Sequence, residues 1–152
     1  MKAWDRFPDW PPVWLAVALA LAWAQKTWVP VASFGPVWAD LLGGLLVGAG
    51  GILAALAVFE MRRHRTTFIP HRHPDRLVTT GIFSRSRHPI YLGDVLILTG
   101  MILYWDAVLA LILIPLFVWI LERRFVEPEE RRLRHRFPRD WIHYEKKTRR
   151  WL

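Results

Sequence analysis

The chain has 152 residues and not one cysteine. That absence excludes a disulfide framework, a thiolate zinc site and a thiol nucleophile. Acids are scarce: 13 Asp+Glu stand against 21 Lys+Arg, for a net charge of +8. No Walker A, H-E-x-x-H or G-x-S-x-G string occurs, which removes P-loop, zincin and serine-hydrolase chemistry. The GAGG run at 48–51 fails the dinucleotide spacing, because Leu53 stands where a third glycine is needed. There is no internal repeat and no low-complexity segment. Present in excess are apolar residues, at 53%, and 10 Trp. That fraction is only slightly above a soluble domain's, so its distribution matters more than its size.

Apolar and basic residues occupy separate blocks. Residues 61–88 and 122–152 together hold 18 of the 21 cations; only Lys2, Arg6 and Lys26 lie elsewhere. Residues 41–59 and 107–121 carry no charge. A spanning helix needs about 20 mostly apolar residues. The first run meets that length, and the second does once Trp105 and the stem of Glu122 extend it. Residues 12–24 and 89–104 are also apolar, apart from Asp94. Lys26 follows the former closely and can snorkel to the interface. Four such segments leave too little polar face for a soluble bundle. The expected fold is an all-α integral membrane protein, one domain over 1–152. Its spans fall near 11–30, 38–60, 89–105 and 107–124, with a loop at 61–88 and a tail at 125–152. The segment 12–24 reads as a retained helix, because residues 1–12 carry two cations, two acids and three prolines, and no A-x-A site precedes a new mature domain.

Positive charge fixes orientation. The loop at 61–88 and the tail both face the cytoplasm, two spans apart, so the N-terminus is cytoplasmic as well. Trp10, Trp14, Trp28, Trp38, Trp105 and Trp119 fall at the expected interfaces. Attraction to anionic headgroups explains the basic blocks better than nucleic-acid binding does. In the second span, Gly44 and Gly48 form G-x-x-x-G, which admits a close helix, and packing within the chain is expected over dimerisation.

The loop ends in Arg85-Ser86-Arg87-His88-Pro89-Ile90-Tyr91-Leu92-Gly93. Pro89 fits the first turn of a helix, so the third span starts at His88. His88, Tyr91 and Val95 share a face, with Asp94 adjacent. Free N–H groups at this helix start favour a carboxylate nearby, and Gly93 leaves room for a flat ring or a close helix. In the tail, Glu129 and Glu130 stand at the exit of the fourth span. Leu133, Phe137, Trp141 and Tyr144 follow at helical spacing, which predicts amphipathic helices on the membrane, broken at Pro138. The two carboxylates either salt-bridge locally or bind a ligand's hydroxyls or ammonium. An ionisable group inside a span is a functional candidate by default. Asp94 is one, with a salt bridge to Arg85 or Arg87 as the alternative. His71 and His73 resemble a metal pair but lack further ligands at suitable spacing, so no metal site is expected.

The string LVTTGIFSRSRHPIYLG, then a hydrophobic hairpin, then EE-x-x-L-x-x-x-F-x-x-x-W-x-x-Y, resembles the isoprenylcysteine carboxyl methyltransferase family. Its bacterial members and the phospholipid N-methyltransferases form one broad group. The resemblance covers residues 66–152; the first two spans match only in character. It implies an integral membrane methyltransferase, here of a bacterial inner membrane, using S-adenosylmethionine at the cytoplasmic face. It places His88, Pro89, Tyr91, Leu92 and Gly93 along the cofactor site, closed by Glu129 and Glu130. Tyr144 and Arg149-Arg150-Trp151 match the family's tail. Pro138 stands where the family usually has Gly, Trp141 where it has Tyr, and Asp94 where it has an apolar residue.

Methyl transfer from a sulfonium is an in-line displacement that depends on positioning and electrostatics, with no need of a thiol. Carboxylates and an aromatic face suit the cationic groups; Glu129, Glu130, Asp94 and Tyr91 supply them. Arg85, Arg87 and Arg149–Arg150 suit the cofactor's carboxylate or an anionic acceptor. Arg87, Arg150 and Asp94 are thus the candidate catalytic residues. His88 either takes a proton from the acceptor or holds a structural or cofactor hydrogen bond. The acceptor is an amphipathic or lipid-like molecule, methylated on a carboxylate oxygen or on an amine. Two further readings stay open: an NADPH-dependent membrane reductase of the sterol type, and a non-enzymatic polybasic scaffold on membrane lipids.

Overall fold

The computed structural model describes residues 9–35, 37–66 and 74–152. His71 and His73 lie outside them. Every regular element among the described residues is helical. The first three α-helices are α1 (Pro11–Trp28), α2 (Val37–Arg63) and α3 (Pro89–Tyr104), with a 3₁₀ turn at Gly81–Ser84 before α3. A continuous helical run follows: a 3₁₀ turn at Val108–Ile112, α4 (Leu113–Leu121), a π turn at Glu122–Val126 and α5 (Glu127–Arg136). After a break at Phe137 comes α6 (Pro138–Lys147). Each irregular turn has a proline downstream. Pro115 cannot donate to the carbonyl of Leu111, and the turn before it tightens to 3₁₀. Pro128 cannot donate to that of Arg124, and there the helix widens instead. Pro11, Pro89 and Pro138 each occupy the first turn of a helix, where a missing N–H costs nothing. The third helix therefore starts where the sequence places it, with His88 as N-cap.

One helix, Val37–Arg63, is long and apolar enough to cross a membrane; Pro89–Tyr104 is a shorter apolar helix. α1 carries Gln25 and Lys26 in its last turns, and the fourth apolar segment is split by its change of helix type. Leu45, Ile52 and Phe59 on α2 are 62–64% exposed. Val17, Leu21 and Trp23 on α1, and Leu116 and Trp119 on α4, are exposed as well. Exposed apolar surface on this scale marks contact with lipid or another protein.

The core lies between α1, α3, α4 and the π turn, where Ala22, Leu98, Ile102, Leu121 and Val126 are all inaccessible. α2 packs on the other side of α3, with glycines at the points of closest approach. A Cβ on Gly43 would lie 2.6 Å from the Gly100 carbonyl oxygen, and one on Gly50 would lie 2.5 Å from that of Gly93. The contact is reciprocal, since a Cβ on Gly93 would meet the Gly50 oxygen at 2.7 Å. Packing within the chain is as expected, but other glycines provide it. Gly44 and Gly48 face open space. The seven-residue repeat Gly43/Gly50 against Gly93/Gly100 sets the crossing, because both helices present the same face every two turns.

At the far end, the Asp106 carboxylate accepts the Phe34 N–H at 2.7 Å, tying the α1–α2 connection to the tight turn after α3. At the near end, Glu60 accepts from the Thr80 hydroxyl, and His64 Nε2 lies 2.8 Å from that same hydroxyl. Gly81, at φ +59°, closes over Glu60. A side chain there would be strained and would strike the carboxylate.

Gly50→Leu is expected to destabilise the protein by about 1–3 kcal/mol or more, read as a lower thermal midpoint in detergent, because backbone cannot yield to the added side chain. Gly48→Ala should leave the midpoint unchanged or raise it by up to about 1 kcal/mol, the helix-propensity gain.

Candidate active site

Four pieces of chain converge at the start of α3. Ser86 precedes it, buried, with its Oγ accepting the His88 N–H at 3.2 Å. The last residues lie antiparallel to this stretch: the Arg87 N–H donates to the Arg149 carbonyl at 3.0 Å, and Ser86 Oγ donates to that of Arg150 at 3.3 Å. α5 brings Glu129 and Glu130, and α6 brings Trp141 and Tyr144. The sequence places these pieces far apart, and the helix break at Phe137 folds α6 back onto the loop.

Glu130 is the centre. Its side chain is 8% exposed. His88 Nε2 lies 3.1 Å from its Oε1. Arg150 forks onto both oxygens, Nε to Oε1 at 3.2 Å and Nη2 to Oε2 at 2.8 Å. Arg87 Nη1 stands 3.4 Å from Oε1. Burial by itself would raise the Glu130 pKa, but the hydrogen bonds from His88 and Arg150, with the nearby Arg87, hold it at about 2. The same bond to Glu130 raises the Arg150 pKa. With Glu130 ionised, His88 Nε2 is the ring nitrogen that donates to it.

Glu129 is more open, with its side chain 35% exposed. It accepts the Tyr91 hydroxyl at 2.9 Å and stands 4.0 Å from His88 Nδ1. The His88 and Tyr91 rings stack with centroids 5.6 Å apart, and Tyr91 meets Phe125 at 6.2 Å. Asp94 lies one turn further along the Tyr91 face. It is 8% exposed, and its Oδ2 has no hydrogen-bond partner. It meets neither Arg85 nor Arg87. Arg87 is spent on Glu130, on Glu145 at 3.5 Å and on the Trp141 ring at 5.6 Å. Tyr144 donates to the Phe83 carbonyl at 2.6 Å, and burial pushes its phenol up.

A family model for phospholipid methyltransferases matches residues 38–140. The chain belongs to the phospholipid methyltransferase family. The match takes in α2, α3 and α5, and with them His88, Tyr91, Glu129 and Glu130. It is a match to the broad group, not to its isoprenylcysteine branch. No curated protein and no solved structure gives a significant match.

The structure brings together Arg87, His88, Tyr91, Glu129, Glu130 and Arg150. Asp94 lies next to them, and Tyr144 forms the wall behind Phe83. Gly93 faces α2 rather than Tyr91. Pro89 is fully buried. Leu92 donates its N–H to the His88 carbonyl at 3.0 Å and closes the first turn of α3. Sequence reading passed over Ser86, Glu122 and Glu145. Glu122 accepts the Trp151 indole N–H at 3.0 Å and stands 3.8 Å from Arg150. Glu145 takes the Arg134 fork at 2.9 and 3.0 Å. Contacts of this kind across a helix break have no spacing signature.

S-adenosylmethionine carries an ammonium, a sulfonium, a carboxylate and hydroxyls. The side chains here offer a part-open carboxylate in Glu129, an unpartnered buried oxygen in Asp94, aromatic faces in Tyr91 and Phe125, and an unspent Arg87 Nε. That donor set fits the cofactor.

Acidification should destabilise this cluster in a defined window. The depressed Glu130 pKa contributes stability above the ordinary carboxylate range and loses it as pH falls from about 4.5 through about 2. Glu130→Gln should flatten that part of a stability-against-pH curve. Glu130→Ala should cost about 3 kcal/mol, the low end for breaking a buried pair, because Arg150 is a third exposed.

Proposed function

We propose that the chain is an S-adenosylmethionine-dependent membrane methyltransferase acting on an amphipathic, lipid-like acceptor. One observation carries the reading. The R-H-P-x-Y-x-G helix start and the Glu129-Glu130 pair, about 40 residues apart in sequence, meet through His88–Glu130 and Tyr91–Glu129 hydrogen bonds. Membership of the phospholipid methyltransferase family supports the same activity.

In this reading the chain is one domain, 1–152, crossing a bacterial inner membrane four times near 11–30, 38–60, 89–105 and 107–124. Both termini are cytoplasmic. The exposed apolar residues of α1, α2 and α4 support lipid contact for all three. α3, 16 residues long, spans about 24 Å at 1.5 Å per residue and is sheltered among them.

When bound, S-adenosylmethionine supplies a methyl group on a sulfonium. Glu129, Asp94 and the Tyr91 ring balance cationic groups, while Arg87 and Arg150 balance carboxylates. Glu130 acts through its neighbours: it holds the His88 proton on Nε2 and fixes both guanidinium groups. That leaves His88 Nδ1 as the ring atom able to take a proton from the acceptor. Pro89, Leu92 and Gly93 set the helix start and its approach to α2, and Tyr144 backs the site. Methyl esterification of a carboxylate and N-methylation of a lipid amine both suit this arrangement.

Calorimetry on the detergent-purified chain tests the reading. S-adenosylhomocysteine should bind, and His88→Ala and Glu130→Ala should each weaken it at least tenfold, about 1.4 kcal/mol. Heat with NADPH alone would favour the reductase, and no heat with either would favour a scaffold. Labelled-methyl transfer to lipid extracts identifies the acceptor. Asp94→Leu should raise stability by about 1–3 kcal/mol, since it removes an unsatisfied buried carboxyl, and should lower transfer. A stable, fully active Asp94→Leu protein would remove Asp94 from the site.

A further inference from the structure

Arg85 and Arg87 are two residues apart, yet they serve different places. Arg87 turns inward to Glu130, whereas Arg85 is exposed and lines an open pocket of about 880 Å³ on the other side of the 3₁₀ turn at Gly81–Ser84. None of His88, Tyr91, Glu129 and Glu130 lines this pocket. Its wall towards them is built by Tyr144, bonded to the Phe83 carbonyl, and Thr148, bonded to that of Ser84. The volume lies within the range of small-molecule sites.

Three permanent cations converge there from three elements: Arg76 from the loop, Arg85 from the turn and Lys147 from α6. None has an ion-pair partner among the described residues. Two carboxylates line the same walls, Asp75 and Asp140. Asp140 stands in the first turn of α6, where the free helix amides already offset its charge. His64 and His143 add donors, and Leu77 and Phe137 add apolar surface. By contrast, Arg87, Arg134 and Arg150 each have a carboxylate close at hand. Here the cations surround a space instead.

The position of the pocket beside the end of α2 points to the chemistry of its occupant. His64 follows directly on Arg63, the last residue of the one membrane-length helix, and Phe59 four residues earlier is exposed and apolar. The pocket thus opens where an apolar helix surface gives way to charge, the level of lipid phosphates. Arginine forks match phosphate oxygens in pairs.

We propose that this pocket binds the phosphate of an anionic phospholipid, at a site separate from the methyl-transfer centre. The test titrates short-chain phosphatidylglycerol into the full-length protein in a neutral detergent, followed by calorimetry. Saturable binding is expected, weakened roughly tenfold or more by the double variant Arg76→Gln/Lys147→Gln. Arg131→Gln, which removes an exposed cation of α5 outside the pocket, should leave it unchanged. Thermal melts of each variant confirm that the fold is kept, independently of any cofactor binding. Equal loss in Arg131→Gln would reduce the effect to general surface charge and overturn the site. Undiminished binding in the folded double variant would overturn it too. Competition by inorganic phosphate at concentrations matching the lipid's would assign the pocket to a soluble phosphate and overturn the lipid source.

Discussion

The Glu130 carboxylate is the constraint on which the rest of the site depends. A buried carboxylate without partners is too costly to keep ionised. Here it is met by an imidazole and two guanidinium groups from two separate stretches of chain. Satisfying it fixes the start of α3, the position of α5 and the course of the last residues at once. Arg150 reaches Glu130 only because Arg149 is hydrogen-bonded to Arg87, and Arg87 itself touches the same carboxylate. The cluster is one unit, and loss of any member leaves the others with uncompensated charge.

Outside that cluster the organising force is the solvent that the apolar helices meet. The exposed Leu, Ile, Phe and Trp side chains of α1, α2 and α4 have no counterpart in a water-facing bundle. Among helices this apolar on every face, burying apolar surface gives little preference for one helix pairing over another. Close backbone approach becomes the selective contact, and the α2–α3 crossing rests on four glycines.

Much of this was legible in the residues. The blocks of charge and apolarity gave the order of the helices, and Pro89 and Pro138 gave two of their starts to within a residue. The R-H-P-x-Y element and the Glu-Glu pair, a fairly specific combination, pointed to residues that the fold brings together. What sequence could not resolve was choice among equivalents. Gly44 and Gly48 form the recognisable spacing, yet Gly43 and Gly50 make the contact, because the rotation of α2 is set by α3 rather than by its own sequence. Arg85 and Arg87 looked interchangeable, and the turn at Gly81–Ser84 sends them to opposite sides. The division of the fourth apolar segment came from Pro115 and Pro128, whose missing donors alter helix type without ending the helix. Glu122 and Glu145 stayed hidden because their partners lie across breaks in the chain.

The same geometry explains why two adjacent carboxylates do different work. Residues 129 and 130 are about 100° apart around α5, so they face different surroundings. Glu130 turns to the arginines, is fully paired and is held ionised far below ordinary pH. Glu129 turns to Tyr91, keeps a third of its side chain open and lies beside the unpartnered Asp94. A carboxylate already bound to two arginines has little left for a ligand. One that is tied only to a phenol keeps lone pairs and net charge to offer. The fully paired acid gives the cluster its shape, and the open one leaves it chemically unfinished.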